Sequence, residues 1–97
     1  MMKVNINEIQ KIISLLLSKL KESKENEIEL NSDFYWDIAV EELYNPYDEP
    51  KNISLGQLSD DLGEIKRLSI SDDAIPYDLK RIAVIIKALS IENQTAF

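Results

Sequence analysis

The feature that most constrains the fold is a run of apolar residues at helical spacing near the start of the chain. These residues are Ile9, Ile12, Ile13, Leu16, Leu17 and Leu20. Side chains three or four positions apart share one face of a helix, so the pattern predicts an amphipathic helix over about residues 6–23. Asn5 is a favoured capping residue and Glu8 follows three positions later, which predicts a capped start. Val4 and Ile9 are expected to pack together as a hydrophobic staple.

A second helix is predicted over about residues 55–69. Its apolar stripe consists of Leu55, Leu58, Leu62 and Ile65. Ser54 and Gln57 have the spacing of a capping box, which places the helix start at this point. Gly56 and Gly63 each cost about 1 kcal/mol relative to Ala inside a helix. They indicate either a close backbone contact or a tolerated weakness.

The last predicted helix spans about residues 76–91, because Pro76 suits the first turn of a helix. A β-branched run at 82–86 also suits a buried strand, but the patterned segment is longer than a typical strand. Apolar residues wrap more than one face of this helix. A helix of that kind is either central to its domain or partly buried in a dimer. A homodimer formed through residues 79–91 is therefore one of two interpretations.

The segment between the first two helices, about residues 27–50, is expected to be irregular or two-stranded and β-like. Glu27–Leu30 alternates polar and apolar side chains, which predicts a short strand. Phe34–Ile38 is rich in β-prone residues and is expected to be extended, with a helical turn near Ala39–Tyr44. The alternative is a helix that begins at Asp33 as its cap.

The loop that follows is bracketed by Pro46 and Pro50, which exclude regular structure between them. Ser71-Asp72-Asp73 marks the break between the second and third helices. A chain of 97 residues has room for one compact domain. The sequence therefore predicts a single, mainly α domain over residues 1–97 with three principal helices.

Composition excludes several classes of function. There is no Cys and no His, so disulfides, Cys/His zinc sites, thiol nucleophiles and Ser-His-Asp triads are absent. The net charge is −7, and residues 27–65 hold eleven acidic side chains against Lys51 alone. Nucleic-acid backbones and anionic membranes repel such a chain, so we expect neither as a partner. No apolar run has the length of a membrane span or the context of a signal peptide, and a cytoplasmic location is expected.

Aromatic side chains are concentrated within the acidic segment. Five of them are Phe34, Tyr35, Trp36, Tyr44 and Tyr47. Aromatic and acidic side chains together are typical of a recognition surface for a basic protein. The candidate binding residues are Trp36, Asp37, Tyr44, Tyr47, Asp48, Glu49, Asp60 and Asp61. In the alternative interpretation Phe34 and Trp36 fill the core, and the acidic side chains only keep the protein soluble.

Part of the chain also resembles a known group of proteins. Residues 42–52 read ELYNPYDEPKN, residues 55–61 read LGQLSDD, and Phe34–Ile38 reads FYWDI. These segments resemble the sequences of a family of small, acidic bacterial proteins of uncharacterised function. The resemblance covers roughly residues 27–69 and implies no catalytic or ligand-binding residues. The family often has proline in place of Ala39 and a larger aromatic residue in place of Leu62.

Three functions follow as hypotheses. The first is a non-enzymatic protein-interaction module, such as an immunity protein or an antitoxin, that covers a basic target. The second is a carboxylate-based metal-binding protein or enzyme that uses Asp60, Asp61 and Glu64. Its signal is weak, because no calcium-loop spacing is present and adjacent helical residues point about 100° apart. The third is a small homodimeric structural subunit. No cofactor is expected.

Overall fold

A computed structural model describes residues 1–97 and shows the predicted fold class, mainly α with a short two-stranded sheet. The elements in chain order are α1 (Ile6–Ser23), β1 (Phe34–Ile38), α2 (Val40–Leu43), β2 (Ile53–Gln57), α3 (Leu58–Lys66), a 3₁₀ turn (Arg67–Ser69) and α4 (Tyr77–Glu92). No helix is both long enough and apolar enough to cross a membrane. The chain divides into two compact units.

The first unit comprises Met1–Glu29 and Asn93–Phe97 and contains α1. The predicted bounds of this helix are confirmed, and so is its cap: the Glu8 amide donates to Asn5 Oδ1 at 3.0 Å. None of its residues is buried. The first helix therefore forms as its spacing predicts, and its apolar side chains remain accessible.

The second unit, Leu30–Glu92, is organised around the sheet. β1 pairs antiparallel with β2, which places Tyr35 opposite Gly56 and Trp36 opposite Leu55. The expected extended segment at Phe34–Ile38 is confirmed, as is the helical turn after it. The predicted strand at 27–30 is wrong, because its alternating residues have no strand to pair with. The second strand instead comes from a segment predicted to be helical.

The start of α3 corrects the sequence-based prediction. The helix begins at Leu58 rather than near residue 55, and Ser54 belongs to β2. Its cap comes from Asp33, whose Oδ1 accepts a hydrogen bond from the Ser59 amide at 2.8 Å. The capping box of Ser54 and Gln57 is therefore wrong, and so is the idea that Asp33 begins a helix over the middle segment. A distant carboxylate satisfies the free amide groups that a local hydroxyl was expected to satisfy.

The core of the second unit is small and lies where α3 packs against α4. Leu58 and Ile85 are its buried apolar residues. The helical prediction for α4 is confirmed, with Tyr77 as its first residue and Glu92 as its last. Ile85 faces inward, whereas Leu79 remains 73% exposed. The helix thus contributes to the core and also keeps apolar surface in contact with solvent.

Candidate functional site

Polar side chains from one face of β1, from α3 and from α4 are joined by hydrogen bonds in a set that we call the Lys80 network. Its members are Tyr35 and Asp37 from β1, Asp61 from α3, and Tyr77 and Lys80 from α4. The Tyr35 hydroxyl donates to Asp61 Oδ2 at 2.6 Å. The Lys80 ammonium donates to the Tyr35 hydroxyl at 3.0 Å and to Asp37 Oδ2 at 3.1 Å. It also donates to the Tyr77 hydroxyl at 3.3 Å. The network therefore ties β1 to both α3 and α4.

Gly56 makes room for the Tyr35 ring. Cross-strand pairing sets these two residues directly opposite each other. A Cβ atom added at Gly56 would lie within 2.7 Å of three carbons of that ring. At Gly63, in contrast, an added Cβ would meet nothing within 4 Å. The helical placement of Gly56 is therefore wrong: it lies in β2 and marks a close contact with a ring, whereas Gly63 lies in α3 with open space around it.

Within the Lys80 network, the pKa values of Tyr35 and Lys80 are both raised, so these two groups keep their protons at neutral pH. Burial raises the pKa of the Tyr35 hydroxyl, and its hydrogen bond to the Asp61 carboxylate raises it further. Burial lowers the pKa of Lys80, but its hydrogen bonds to Tyr35, Asp37 and Tyr77 outweigh burial and raise the pKa above its ordinary value. A general base must lose its proton near the working pH. Neither group is tuned for that role.

A second ionic cluster joins the start of α4 to the end of α3. Asp78 is 7% exposed and accepts hydrogen bonds from the Ile75 amide at 2.9 Å and from Arg81 at 2.7 Å. Arg67 lies 3.7 Å from the same carboxylate. The Ile75 amide lowers the pKa of Asp78, and Arg81 and Arg67 lower it further against the effect of burial. Each charged group in this cluster has a partner of opposite charge, and the ion pairs join the two helices.

The opposite side of the hairpin is apolar and accessible. We call Phe34, Trp36, Ile53 and Leu55 the outer sheet face. Trp36 is 76% exposed and its cross-strand partner Leu55 is 59% exposed. The interpretation that Phe34 and Trp36 fill the core is therefore wrong. Side chains alternate along a strand, so the network and the outer sheet face are presented by neighbouring residues.

The loop after α2 exposes aromatic and acidic side chains. Tyr44 and Tyr47 are 89% and 91% exposed. The loop is closed by Glu42, whose Oε2 accepts hydrogen bonds from the Lys51 amide at 3.0 Å and from the Asn52 amide at 2.8 Å. The loop is thus closed by its own hydrogen bonds, and both tyrosine rings remain exposed.

A groove of about 540 Å³ runs between β1 and α4. Its apolar lining includes Trp36 and Ile38 from the strand and Val84 and Ala88 from the helix. Glu92 lines one end of the groove. Its Oε1 accepts a hydrogen bond from the Asn31 amide at 2.7 Å, whereas its Oε2 is buried without any partner. The groove thus has largely apolar walls, and one of its lining residues contains a buried hydrogen-bond acceptor without a partner.

The structure divides the eight candidate residues among four places. Asp37 and Asp61 belong to the Lys80 network, where partners within the protein already occupy them. Trp36 lies on the outer sheet face, and Asp60 is exposed in the first turn of α3. The loop after α2 carries the remaining four, which are Tyr44, Tyr47, Asp48 and Glu49.

Sequence reasoning missed Tyr35, Lys80 and Glu92. The period of two along β1 was a usable signal for Tyr35, because it places Tyr35 and Asp37 on one face. No local pattern relates Lys80 to Tyr35, since 45 positions separate them. The partner of Glu92 is Asn31, which lies 61 positions away in the chain.

No group of three or more acidic side chains is placed to hold a metal ion. No protein-family model, curated protein or solved structure matches the chain. The case for a function therefore rests on the exposed surfaces and on the groove.

Proposed function

We propose that the protein is a non-enzymatic interaction module that binds a basic partner protein through its second unit. The observation that carries the proposal is the exposure of Trp36, at 76%, in the middle of the outer sheet face. Apolar side chains exposed as a contiguous patch are typical of interaction sites, and Trp is a frequent anchor of such sites. Tyr44 and Tyr47 add two further accessible aromatic rings.

Charge supports a basic partner. The second unit holds thirteen acidic and six basic side chains, whereas the first holds five of each, so all of the net charge of −7 belongs to the second unit. A concentrated negative field attracts a basic surface and accelerates association. Asp48 and Glu49 are exposed acidic residues that directly follow Tyr47 in the chain. An immunity protein or an antitoxin is one form that such a module takes.

The same charge argues against nucleic acid as the partner, because the phosphate backbone is itself anionic. We propose a cytoplasmic location, because no apolar run has the length of a membrane span or the context of a signal peptide. The protonated state of Tyr35 and Lys80 supports a role without catalysis, since neither group is poised to accept a proton.

The experiment is affinity capture with the immobilised full chain, from a lysate of the cells that produce it. We expect a basic protein to bind the wild type and to be released as salt rises, because salt screens the attraction. Trp36→Ala should reduce capture at least tenfold. Ile70→Ala is the matched control, because Ile70 is 92% exposed and lies away from the sheet.

Charge reversal tests the electrostatic part of the proposal. In Asp48→Lys with Glu49→Lys, association with the captured protein should slow more than dissociation accelerates. Equal loss of capture in Trp36→Ala and Ile70→Ala, or binding that ignores salt, contradicts the proposal. Recovery of this chain alone, with a dimeric mass in solution, would favour the homodimer through residues 79–91 instead.

A further inference from the structure

The outer edge of β1 has free backbone hydrogen-bonding groups. In an antiparallel pair, alternate residues bond across to the partner strand. The pairing is continued at both ends by bonds from the Ala39 amide to the Asn52 carbonyl at 2.9 Å and from the Leu58 amide to the Asp33 carbonyl at 2.6 Å. The odd-numbered residues of β1 therefore face β2.

The even-numbered residues, Phe34, Trp36 and Ile38, direct their amide and carbonyl groups away from β2. The sheet contains only two strands, so no third strand meets them. Proteins usually protect such an edge with charge, with proline or with a covering element. Here the edge carries large apolar side chains, of which Trp36 is the most exposed.

The groove lies along this free edge. Every residue of β1 lines it, and no residue of β2 does. The opposite wall is one face of α4, where Lys80, Val84, Ala88 and Ile91 follow each other at helical spacing. An extended chain in the groove would therefore have backbone partners on one side and, on the other, apolar side chains interspersed with Lys80 and Lys87.

We infer that the groove binds an extended, apolar segment of the partner protein, which adds to β1 as a third strand. The inference rests on the proposed function and specifies which kind of segment of the partner binds in the groove. A β-strand repeats its backbone groups on one side every second residue, about 6.8 Å apart, which is the spacing that Phe34, Trp36 and Ile38 present. β1 has five residues, so the bound segment pairs over about 17 Å.

Glu92 adds a requirement at one end of the groove. Its buried Oε2 has no hydrogen-bond partner, and a buried acceptor without a donor is costly. The bound segment supplies that donor. Glu92→Gln tests this contact with little change in shape, because the amide oxygen still accepts from the Asn31 amide while a donating NH₂ group replaces Oε2.

The probe is a synthetic peptide selected on the full-length wild-type protein from a displayed library of random nonapeptides. Amide hydrogen exchange by NMR is then compared with and without this peptide. We expect exchange to slow at least tenfold at Phe34, Trp36 and Ile38. Tyr35 and Asp37 should change little, because their amides already bond to β2. Failure to select a peptide, or no slowing at the three even-numbered amides, overturns the inference.

Variants of Ile38 and Glu92 test the inference separately from peptide selection. Ile38→Pro removes an outward amide without removing a bond to β2, and proline is tolerated on edge strands. Its matched control, Ile38→Ala, shortens the side chain and keeps the amide. Peptide affinity should fall at least tenfold further in Ile38→Pro than in Ile38→Ala, and about tenfold in Glu92→Gln. Equal losses in the first two variants overturn the inference.

The outcomes also separate this inference from the proposed function. If capture of the basic protein depends on Trp36 while the three amides stay unprotected, the interaction module stands and the third strand does not. Absence of any captured protein contradicts both. Protection of the same amides that rises with protein concentration alone assigns the edge to a second copy of this chain and overturns the inference.

Discussion

Gly56→Ala tests how β1 is held in place. An added Cβ would lie within 2.7 Å of three Tyr35 ring carbons. Non-bonded carbon atoms settle about 3.5–4.0 Å apart, so the ring must retreat by about 1 Å. A displacement of this size is enough to break the hydrogen bonds of the Tyr35 hydroxyl, which now span 2.6 Å to Asp61 and 3.0 Å to Lys80.

The magnitude follows from those two bonds. Hydrogen bonds to charged groups contribute about 1.5–3 kcal/mol each, and partial exposure places these at the lower end or below it. Replacing Gly by Ala in a strand also raises the free energy of unfolding by about 0.5–1 kcal/mol, because the unfolded chain has less conformational freedom with Ala. We therefore expect Gly56→Ala to lower the free energy of unfolding by about 1–2 kcal/mol.

The assay is urea unfolding followed by the fluorescence of Trp36, the only tryptophan in the chain. The control is Gly63→Ala, where the added Cβ meets nothing within 4 Å. This helical substitution should raise stability by up to about 1 kcal/mol.

The decisive background is Tyr35→Ala, because without the ring there is nothing to displace. In that background Gly56→Ala should become neutral or stabilising, which a double-mutant cycle measures directly. An unchanged destabilisation by Gly56→Ala in both backgrounds would refute the reasoning.

Three further outcomes are expected. Asp33→Ala should lower the urea midpoint clearly while Ser54→Ala changes it little, because Asp33 caps α3. A larger loss in Ser54→Ala than in Asp33→Ala would instead support the capping box of Ser54 and Gln57. The folded-state pKa of Asp78 is lowered, so its contribution is present above the unfolded pKa of about 3.9 and is lost as pH falls through the folded value. Asp78→Asn should therefore be less stable at pH 7 and less sensitive to acid, and parallel acid curves for variant and wild type would contradict this. The folded-state pKa values of Tyr35 and Lys80 are raised, so the second unit should lose stability as pH rises above about 10, and Tyr35→Phe should flatten that loss in urea midpoints recorded from pH 7 to 12.

The anchoring of β1 and its exposed surface depend on the same alternation. Tyr35 and Asp37 point into the Lys80 network, while Phe34 and Trp36 point to the outer sheet face. An anchored strand loses little conformational freedom when a partner binds, which favours affinity. The hydrogen bonds that stabilise the second unit therefore also prepare its proposed binding edge.

The elements that the sequence predicted well are those that depend on near neighbours. α1 follows from apolar residues three and four positions apart, and its start at Asn5 depends on a residue three positions away. α4 follows from its length and from Pro76. Helical hydrogen bonds join residues four positions apart, so the information needed for these elements is local.

β2 and the site depended on contacts that no local pattern contains. Ile53 and Leu55 alternate as a strand does, but Leu55 also fits the apolar stripe of a helix, and only pairing with Ile38 and Trp36 decides between them. The Lys80 network likewise joins Tyr35 to a lysine 45 positions away. The sequence by itself therefore determined α1, α4, the acidic middle and the concentration of aromatic residues within it. The tertiary structure alone decided which of those residues anchor the strand and which remain exposed, because a strand exposes whichever face and edge its neighbours leave uncovered.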